Sequence, residues 1–333
     1  MENKVHYLET GSIDPYYNLA FEEYILTNRT DGDYLMLWQN DNTVVIGANQ
    51  NTEEEINKAF IDEHHINVVR RATGGGAVYH DLGNLNYSFI TDVDEAARLS
   101  LDRFTEPVVS ALRGLGLDAH ASGRNDILIG EHKVSGTAQR ILGKRILHHG
   151  TLLFDSDPSL IAGALKVDPG KFKAKSSKSV RSRVGNIREL LGTESDMTIT
   201  EFWDYLKEEL SGSGFLQEEL PPEAITQIEE LRRTKYSTWE WNYGKSPAYD
   251  MVNSDRFDGG GLEVRLSVRK GVITDIAFYG DYMSRTSSEE LIEMLKGCAY
   301  READVASCLD MIDISDLFGS ITGDEVLQVI FNR

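Results

Sequence analysis

Cysteine is scarce in this chain of 333 residues, and the two that occur, Cys298 and Cys308, lie close together near the C-terminus. Two thiols without a third or fourth partner make neither a disulfide framework nor a zinc site. We therefore predict two free thiols that pack in adjacent helices.

Positive charge and long apolar runs are scarce too. Lysine and arginine are outnumbered by acidic residues, 34 to 54, which gives a formal net charge of −20. Nucleic acids and anionic membranes are polyanions, so this charge argues against both as general partners. A nucleotide-sized ligand stays possible, because a small pocket needs only a few local cations. No apolar run approaches the roughly 18–20 residues that span a bilayer, and the N-terminal segment lacks the apolar core of a signal peptide. We expect a cytoplasmic protein.

The most distinctive segment runs from Val68 to Ile90. An apolar strand leads into Arg70 and Arg71, three consecutive glycines follow at 74–76, and a second apolar strand comes after them. Glycine lets the backbone come close to a ligand, and arginine offers a fork of donors to phosphate or carboxylate. A glycine run alone most often marks a flexible connection, but the flanking arginines favour an anion site. It is neither a Walker A loop nor a dinucleotide turn, because it joins strand to strand without a following Gly-Lys-Ser/Thr.

A second polar element lies between Gly123 and Gln139. Asp126 heads one predicted strand, and Lys133 heads the next across a tight turn. A lysine at this place either faces solvent or projects into a pocket, and the first is the commoner arrangement. Asp126 is either a surface acid or a Mg²⁺ ligand, since one carboxylate together with phosphate oxygens often suffices for Mg²⁺.

A third element is the predicted strand that contains His148 and His149. Neighbouring side chains of a strand point to opposite faces, so at most one of the two histidines lines the same pocket. We expect the other to be a satisfied structural histidine.

The remaining pattern is mixed. Strands are predicted over 43–47, 126–129, 133–141 and 145–154, and a strand–turn–strand over 262–283. Helices are predicted over 18–26, 52–63, 99–115 with a bend at Pro107, 198–210 within a helical stretch from 157 to 236, 287–299, 302–312 and 323–331. A basic window, 166–188, holds eight lysines and arginines against one acid. It is either a solvated loop, a cover for phosphates or a docking surface for an acidic partner.

These elements, in this order, resemble the lipoate–protein ligase family over nearly the whole chain. The resemblance rests on segments 15–23, 44–51, 70–84, 123–126, 133–136, 148–151, 179–186 and 239–247. It implies an α+β fold like that of the biotin and lipoate ligases. A large catalytic domain of mixed β-sheet with flanking helices would cover residues 1–245, and a small α+β C-terminal accessory domain would cover 246–333.

The resemblance also implies an ATP-dependent reaction. Lipoate and ATP would give lipoyl-AMP and pyrophosphate, and a lysine of a partner protein would then take the lipoyl group and release AMP. Both steps place negative charge on phosphate oxygens, so fixed cations and N–H donors supply the catalysis. The implied ATP and adenylate contacts are Arg71, Gly76, Ala77, Val78, Tyr79 and Lys133. The implied lipoate contacts are Lys133, Arg70, Gly75 and His149. Lys133 is the implied catalytic residue, and Asp126 is our candidate Mg²⁺ ligand.

Particular residues separate this prediction from its alternatives. Related transferases use a cysteine nucleophile, but residues 1–297 contain no cysteine. Biotin ligases interleave arginine with single glycines, whereas Gly74–Gly76 is unbroken. A non-catalytic lipoate- or nucleotide-binding protein is the alternative from another class, and the intact set of Arg71, the glycines and Lys133 argues against it.

The implied partners are apo lipoyl domains of 2-oxoacid dehydrogenase E2 subunits, the glycine-cleavage H protein, or both. The implied role is lipoylation from free, salvaged lipoate. We hypothesise that the basic window, 166–188, orders over the adenylate and shields it from water.

Overall fold

The computed structural model describes residues 4–93, 102–123, 125–166, 184–192, 195–212, 214–243, 251–269 and 271–332. They form two compact units. The larger unit contains Met1–Val45, Ile56–Val69 and Val78–Thr238, and the smaller unit contains Ile46–Glu55, Arg70–Ala77 and Trp239–Arg333. Two inner segments thus group with the C-terminal residues. The contiguous domains expected from the sequence, 1–245 and 246–333, stay a prediction.

The helices and strands follow one another along the described ranges. Up to the end of the larger unit they are β1 (Val5–Glu9), α1 (Pro15–Asn28), β2 (Tyr34–Trp38), β3 (Thr43–Ile46), α2 (Thr52–Glu55), α3 (Lys58–Glu63), β4 (Asn67–Arg70), β5 (Val78–His80), β6 (Asn84–Asp92), α4 (Asp102–Gly114), β7 (Ala119–Ser122), β8 (Asp126–Ile129), β9 (His132–Leu142), β10 (Arg145–Leu153), α5 (Pro158–Ala164), α6 (Ile187–Leu190), α7 (Ile199–Leu210), β11 (Phe215–Gln217), α8 (Pro222–Leu231) and a π-helical turn (Arg232–Tyr236). The rest are α9 (Trp239–Asn242), β12 (Met251–Phe257), β13 (Gly260–Arg269), β14 (Val272–Gly280), α10 (Glu289–Leu295), α11 (Glu302–Leu309), α12 (Ile314–Phe318) and α13 (Gly323–Phe331).

The larger unit is built on a mixed sheet. Its described strands have the order β11–β1–β2–β6–β10–β9–β8–β7. β1 pairs in parallel with β2 and β11, and the other neighbours are antiparallel. A second sheet has the order β4–β3–β5. The mixed sheet with flanking helices confirms the fold class expected from the sequence.

The core of the larger unit explains why these segments form a sheet covered by helices. All five residues of β2 are buried, as expected of a strand that is covered on both faces. Helices α4 and α7 contribute Val108, Leu112, Phe202 and Leu206 to one cluster with apolar residues of the sheet. Helix α7 begins with a capping box between Thr198 and Glu201, the start that its Thr-x-x-Glu spacing predicts.

The structure corrects several predicted elements. The single helix expected over 52–63 is two short helices, because Ile56 forms a β-bridge with Leu165 and the Asn57 side chain caps α3. Strand β11 interrupts the helical stretch expected from 157 to 236. Helix α10 ends at Leu295, four residues before the predicted end at 299, and Gly297 follows with φ of 85°. Neither β12 nor α12 is predicted by the sequence pattern.

The smaller unit contains an antiparallel sheet with the order β12–β13–β14. Leu262, Val264 and Leu266 alternate along β13 and are buried with apolar residues of α10 to α13. This confirms the predicted strand–turn–strand. Gly271 occupies the turn with φ of 76°, the conformation that glycine adopts without strain.

Some predictions fall outside the described residues. One is the start of the helix expected at 99, although the described part, α4, contains Pro107. Another is most of the basic window, since residues 167–183 are not described. No helix in the described part of the chain is long and apolar enough to span a bilayer.

Candidate functional site

Lys133 lies near the start of β9, and among the described residues it forms an ion pair with one carboxylate. Its Nζ is 2.6 Å from Oδ1 of Asp126, the first residue of the neighbouring strand β8, and the two side chains are 36% and 33% exposed. A Cβ atom placed on Gly136 would lie 3.5 Å from this Nζ. The missing side chain at Gly136 thus leaves room beside the ammonium group.

This arrangement suits a lysine that exchanges one anion for another. A partly exposed ion pair contributes only about 0–1 kcal/mol, so a phosphate or carboxylate of a ligand can replace Asp126 at little cost. Lys133 is therefore neither a freely extended surface lysine nor a buried structural one. Its contact with a ligand stays a prediction.

The glycine run belongs to the smaller unit, where Arg71 binds it. The Arg71 Nε donates to Thr73 Oγ1 at 3.0 Å, and Nη2 donates to the carbonyls of Gly74 and Gly76 at 2.6 and 2.9 Å. Arg71 as a whole is 7% exposed. Arg71 thus fixes the conformation of the glycine loop. The sequence predicts that Arg71 and this loop bind the adenylate together.

The three glycines meet different surroundings. A Cβ on Gly74 would lie 2.7 Å from the Ser284 backbone nitrogen, whereas a Cβ on Gly76 would meet no atom within 4 Å. Gly75 has φ of 88° and donates its N–H to the carbonyl of Tyr282 at 3.1 Å. Glycine is required at Gly74 by close packing and at Gly75 by a left-handed backbone. Open space at Gly76 is compatible with the predicted ligand contact there.

Of the other residues predicted around this loop, Ala77 ends a segment of the smaller unit, and Val78 and Tyr79 belong to the larger unit. Val78 and Tyr79 lie in β5, opposite Val45 and Val44 of β3. The Tyr79 side chain is buried, and its hydroxyl donates to Asn42 Oδ1 at 2.9 Å. A ligand contact of Tyr79 is thus left to its backbone.

Arg70 is buried in the smaller unit and directs its guanidinium toward protein oxygens. It is 9% exposed, and Nε and both Nη atoms donate to carbonyl or hydroxyl groups of the chain. Its contact with lipoate stays a prediction, and Nε and both Nη atoms of this side chain already donate within the protein.

His148 and His149 point to opposite faces of the large sheet, as predicted. His149 Nδ1 forms a hydrogen bond of 2.9 Å with Glu22 Oε1, which also accepts from Ser88 Oγ at 2.6 Å. His148 is fully buried, lies 3.1 Å from Gln139 Nε2 and stacks on Phe104 at a centroid distance of 5.0 Å. Burial lowers the pKa of His148 to about 3. His148 is therefore a neutral structural residue, and His149 is the one with a carboxyl partner.

Two family models match the chain. That of the lipoyl protein ligase A/B catalytic domain matches residues 14–211, and that of the bacterial lipoate protein ligase C-terminus matches residues 246–330. The chain belongs to the lipoate–protein ligase family. Lipoate–protein ligase 1 of Staphylococcus aureus (strain Mu50 / ATCC 700699) is 40% identical over 319 residues, which are 95% of this chain and 97% of that protein.

Solved ligases share the fold of this family member. A bipartite lipoate protein ligase of Thermoplasma acidophilum, analysed with its E2 lipoyl domain, has a TM-score of 0.64 and 34% identity, and covers 75% of this chain and 100% of that chain. A lipoate-protein ligase A bound with ATP has a TM-score of 0.62 and 32% identity, and covers 73% of this chain and 99% of that chain.

Glu22 is the buried ligase residue that sequence reasoning missed. It is 4% exposed and lies on α1, where Ser88 and His149 reach it from the sheet. The segment Pro15–Glu23 was recognised as part of the family pattern, but no individual role followed from it. A glutamate among apolar residues of a buried helix face is the signal that could have identified it.

The two thiols of this ligase are free, as predicted. Their Sγ atoms lie 3.9 Å apart in the smaller unit, with Cys308 in α11 and Cys298 after α10 rather than within a helix. Burial raises the pKa of Cys298 to about 11, so this thiol is protonated and weakly nucleophilic at neutral pH. The pair has the properties of packed structural thiols.

Proposed function

We propose that this ligase forms lipoyl-AMP from free lipoate and ATP and then passes the lipoyl group to a lysine of an acceptor protein. In the first step a carboxylate oxygen bonds to the α-phosphorus, and the bond to the bridging oxygen breaks to release pyrophosphate. In the second step the neutral lysine amine bonds to the acyl carbon and loses a proton, and the acyl C–O bond breaks to release AMP.

The observation that carries this proposal is the state of Lys133. Its side chain is partly exposed, has one carboxylate partner within the described ranges and lies beside Gly136, which has no side chain to fill the space next to the ammonium. Both steps build charge on the α-phosphate and on the acyl oxygen, and a preplaced cation stabilises such charge. We assign Lys133 to this role.

The remaining assignments follow the family resemblance. Arg71 and the backbone of Gly76, Ala77, Val78 and Tyr79 are proposed to bind the nucleotide, and Gly75 and His149 are proposed to contact lipoate. The hydrogen bond between His149 and Glu22 fixes the orientation of the imidazole ring, which supports a defined contact. Arg70 is reconsidered below.

Mg²⁺ fits as a companion of ATP more readily than as a resident ion. Within the described ranges, no group of three or more His, Cys, Asp or Glu side chains could hold a metal, and the Asp126 carboxylate is paired with Lys133. Mg²⁺ is often bound by one or two carboxylates together with substrate phosphates. Asp126 is our candidate for the one protein ligand.

The acceptor is proposed to be an apo lipoyl domain. The Thermoplasma ligase was analysed with its E2 lipoyl domain, which supports this class of partner. E2 subunits of 2-oxoacid dehydrogenases, the glycine-cleavage H protein, or both are the proposed targets. A cytoplasmic location stays a prediction.

The proposal is tested by incubating the full chain with lipoate, MgATP and a purified apo lipoyl domain. Pyrophosphate release and the intact mass of the acceptor are measured. We expect a lipoyl mass increment that requires ATP and the acceptor lysine. Binding of lipoate or ATP without pyrophosphate release would instead support the non-catalytic alternative.

A further inference from the structure

Arg70 is a buried cation that binds its own chain. Within the described residues no carboxylate forms an ion pair with it, and its guanidinium donates to six protein oxygens over distances of 2.6–3.3 Å. The acceptors are the carbonyls of Gly47, Ala48, Gln50, Trp241 and Asn242 and the hydroxyl of Thr52. Burial lowers the pKa of Arg70 to about 10, so the group still carries its charge at neutral pH.

The backbone of Arg70 is fixed as well. Its N–H donates to Asn242 Oδ1 at 2.9 Å, and its carbonyl accepts from Trp241 Nε1 at 2.8 Å. Thr52 Oγ1 in turn donates to the Asn242 carbonyl. Arg70 therefore joins three segments that are distant in sequence but lie in the same unit: the turn at 47–52, the residues before the glycine run, and Trp241–Asn242.

The turn that Arg70 holds supports the glycine run directly. The Ala48 N–H donates to the Thr73 carbonyl at 2.8 Å. A Cβ on Gly47 would lie only 2.0 Å from the Gly75 carbonyl oxygen, so the turn and the run are in close backbone contact. A shift of the 47–50 turn must therefore move Thr73 or Gly75.

We infer that Arg70 is a positioning residue, which holds the 47–50 turn against the glycine run and so fixes the backbone that binds the nucleotide. This inference rests on the proposed function and replaces the predicted contact between Arg70 and lipoate. It also gives a role to the carbonyls of Gly47, Ala48 and Gln50, which all accept hydrogen bonds from the guanidinium. Lysine cannot replace Arg70 here. Its compact ammonium has three donors and cannot reach the acceptors at 47–52 and those of Trp241 and Asn242 at the same time.

The first test is Arg70→Lys in the full chain. Affinity for lipoate and for a non-hydrolysable ATP analogue is measured by calorimetry, and circular dichroism verifies the fold. Loss of hydrogen bonds to a charged group typically weakens an interaction about tenfold to a hundredfold. We expect that loss for the ATP analogue, with lipoate affinity within about twofold of the parent chain. A loss confined to lipoate would overturn the inference and restore the predicted lipoate contact.

A pair of variants at Thr52 tests the inference even if Arg70→Lys does not fold. Thr52→Val removes the hydroxyl that accepts from Arg70, and Thr52→Ser retains it. Hydrogen exchange of the amides at 73–77 is followed in both. Faster exchange in Thr52→Val, with parental exchange in Thr52→Ser, supports the positioning role even if the ligase activity itself is not found. Equal exchange in both would contradict it.

Gly47→Ala tests the last contact in this chain of support. Because its Cβ would overlap the Gly75 carbonyl, we expect it to reproduce the ATP-specific loss of Arg70→Lys. Gly323→Ala is the matched control, since a Cβ there would lie 3.8 Å from its nearest neighbour. Parental affinity of Gly47→Ala for the ATP analogue would show that the turn does not position the glycine run.

Discussion

Lys133 and Arg70 are both basic residues that the sequence assigns to ligand binding, yet the structure gives them opposite surroundings. In the part of the chain that the structure describes, Lys133 is about one-third exposed and has one carboxylate partner, whereas Arg70 is buried and donates to six protein oxygens. A cation whose partner can be exchanged is suited to chemistry, and a cation surrounded by carbonyl groups is suited to holding backbone. The difference lies in the number and kind of acceptors, not in the charge.

The largest expected effect is that of Lys133→Ala. Removal of one charge-stabilising group typically lowers the rate about 10²–10³-fold, so we expect pyrophosphate release to fall by that factor while the melting temperature stays near that of the parent chain. Lys58→Ala is the control, because Lys58 forms an exposed ion pair with Asp62. Near-parental turnover of Lys133→Ala would contradict the assignment of Lys133 to the chemistry and of Arg70 to a positioning role.

Glu22→Ala tests the other side of the comparison, the buried polar groups. It removes the buried carboxylate that accepts from Ser88 Oγ and forms a hydrogen bond with His149 Nδ1. We expect a loss of about 3 kcal/mol in the free energy of unfolding, measured by urea denaturation. Glu230→Ala, which breaks an exposed pair with Arg233, is expected to cost much less, because solvent screens exposed ion pairs. Equal losses of unfolding free energy in the two variants would mean that burial does not make the contacts of Glu22 more stabilising than the exposed pair of Glu230.

His148 predicts how stability depends on pH. Its folded-state pKa of about 3 lies below the ordinary value of 6.5, so the unfolded chain binds the proton more readily. Stability is then lost as the pH falls below 6.5, until about pH 3. From pH 7.5 to 5 this group lowers the free energy of unfolding by about 2 kcal/mol.

The variant His148→Phe, which retains a ring against Phe104, isolates that contribution. The slope of stability against pH is compared between the two proteins, since the unpaired Gln139 amide changes stability equally at every pH. We expect the variant to lose less stability on acidification than the parent chain. Identical slopes would show that His148 is not held neutral.

The smallest effect is expected at the thiols. The double variant Cys298→Ser with Cys308→Ser should keep lipoyl transfer within about twofold of the parent rate, because neither half-buried thiol belongs to the residues to which we assign the chemistry. Transfer is measured by the intact mass of the acceptor. A loss of more than about tenfold, with the fold retained, would reopen thiol-dependent acyl transfer.

The sequence predicts the strands β8 to β10 and the opposite faces of His148 and His149, because short-range periodicity determines them. The mixed fold is implied by the family resemblance. It does not predict the surroundings of Arg70, which depend on Gly47 and Trp241, residues far from it in sequence. The role of Glu22 is not predicted for the same reason, since Ser88 and His149 contact it only once the sheet has formed. Residues 46–55 and 70–77 group with the C-terminal residues through such distant contacts.

The most direct test of the account measures lipoyl transfer by Arg70→Lys and Lys133→Ala as a function of ATP concentration. If Arg70 positions the nucleotide loop and Lys133 performs chemistry, Arg70→Lys approaches the parent rate at saturating ATP, while Lys133→Ala stays about 10²–10³-fold below it. Recovery of Lys133→Ala at high ATP, or a rate of Arg70→Lys that responds to lipoate and not to ATP, would contradict the account.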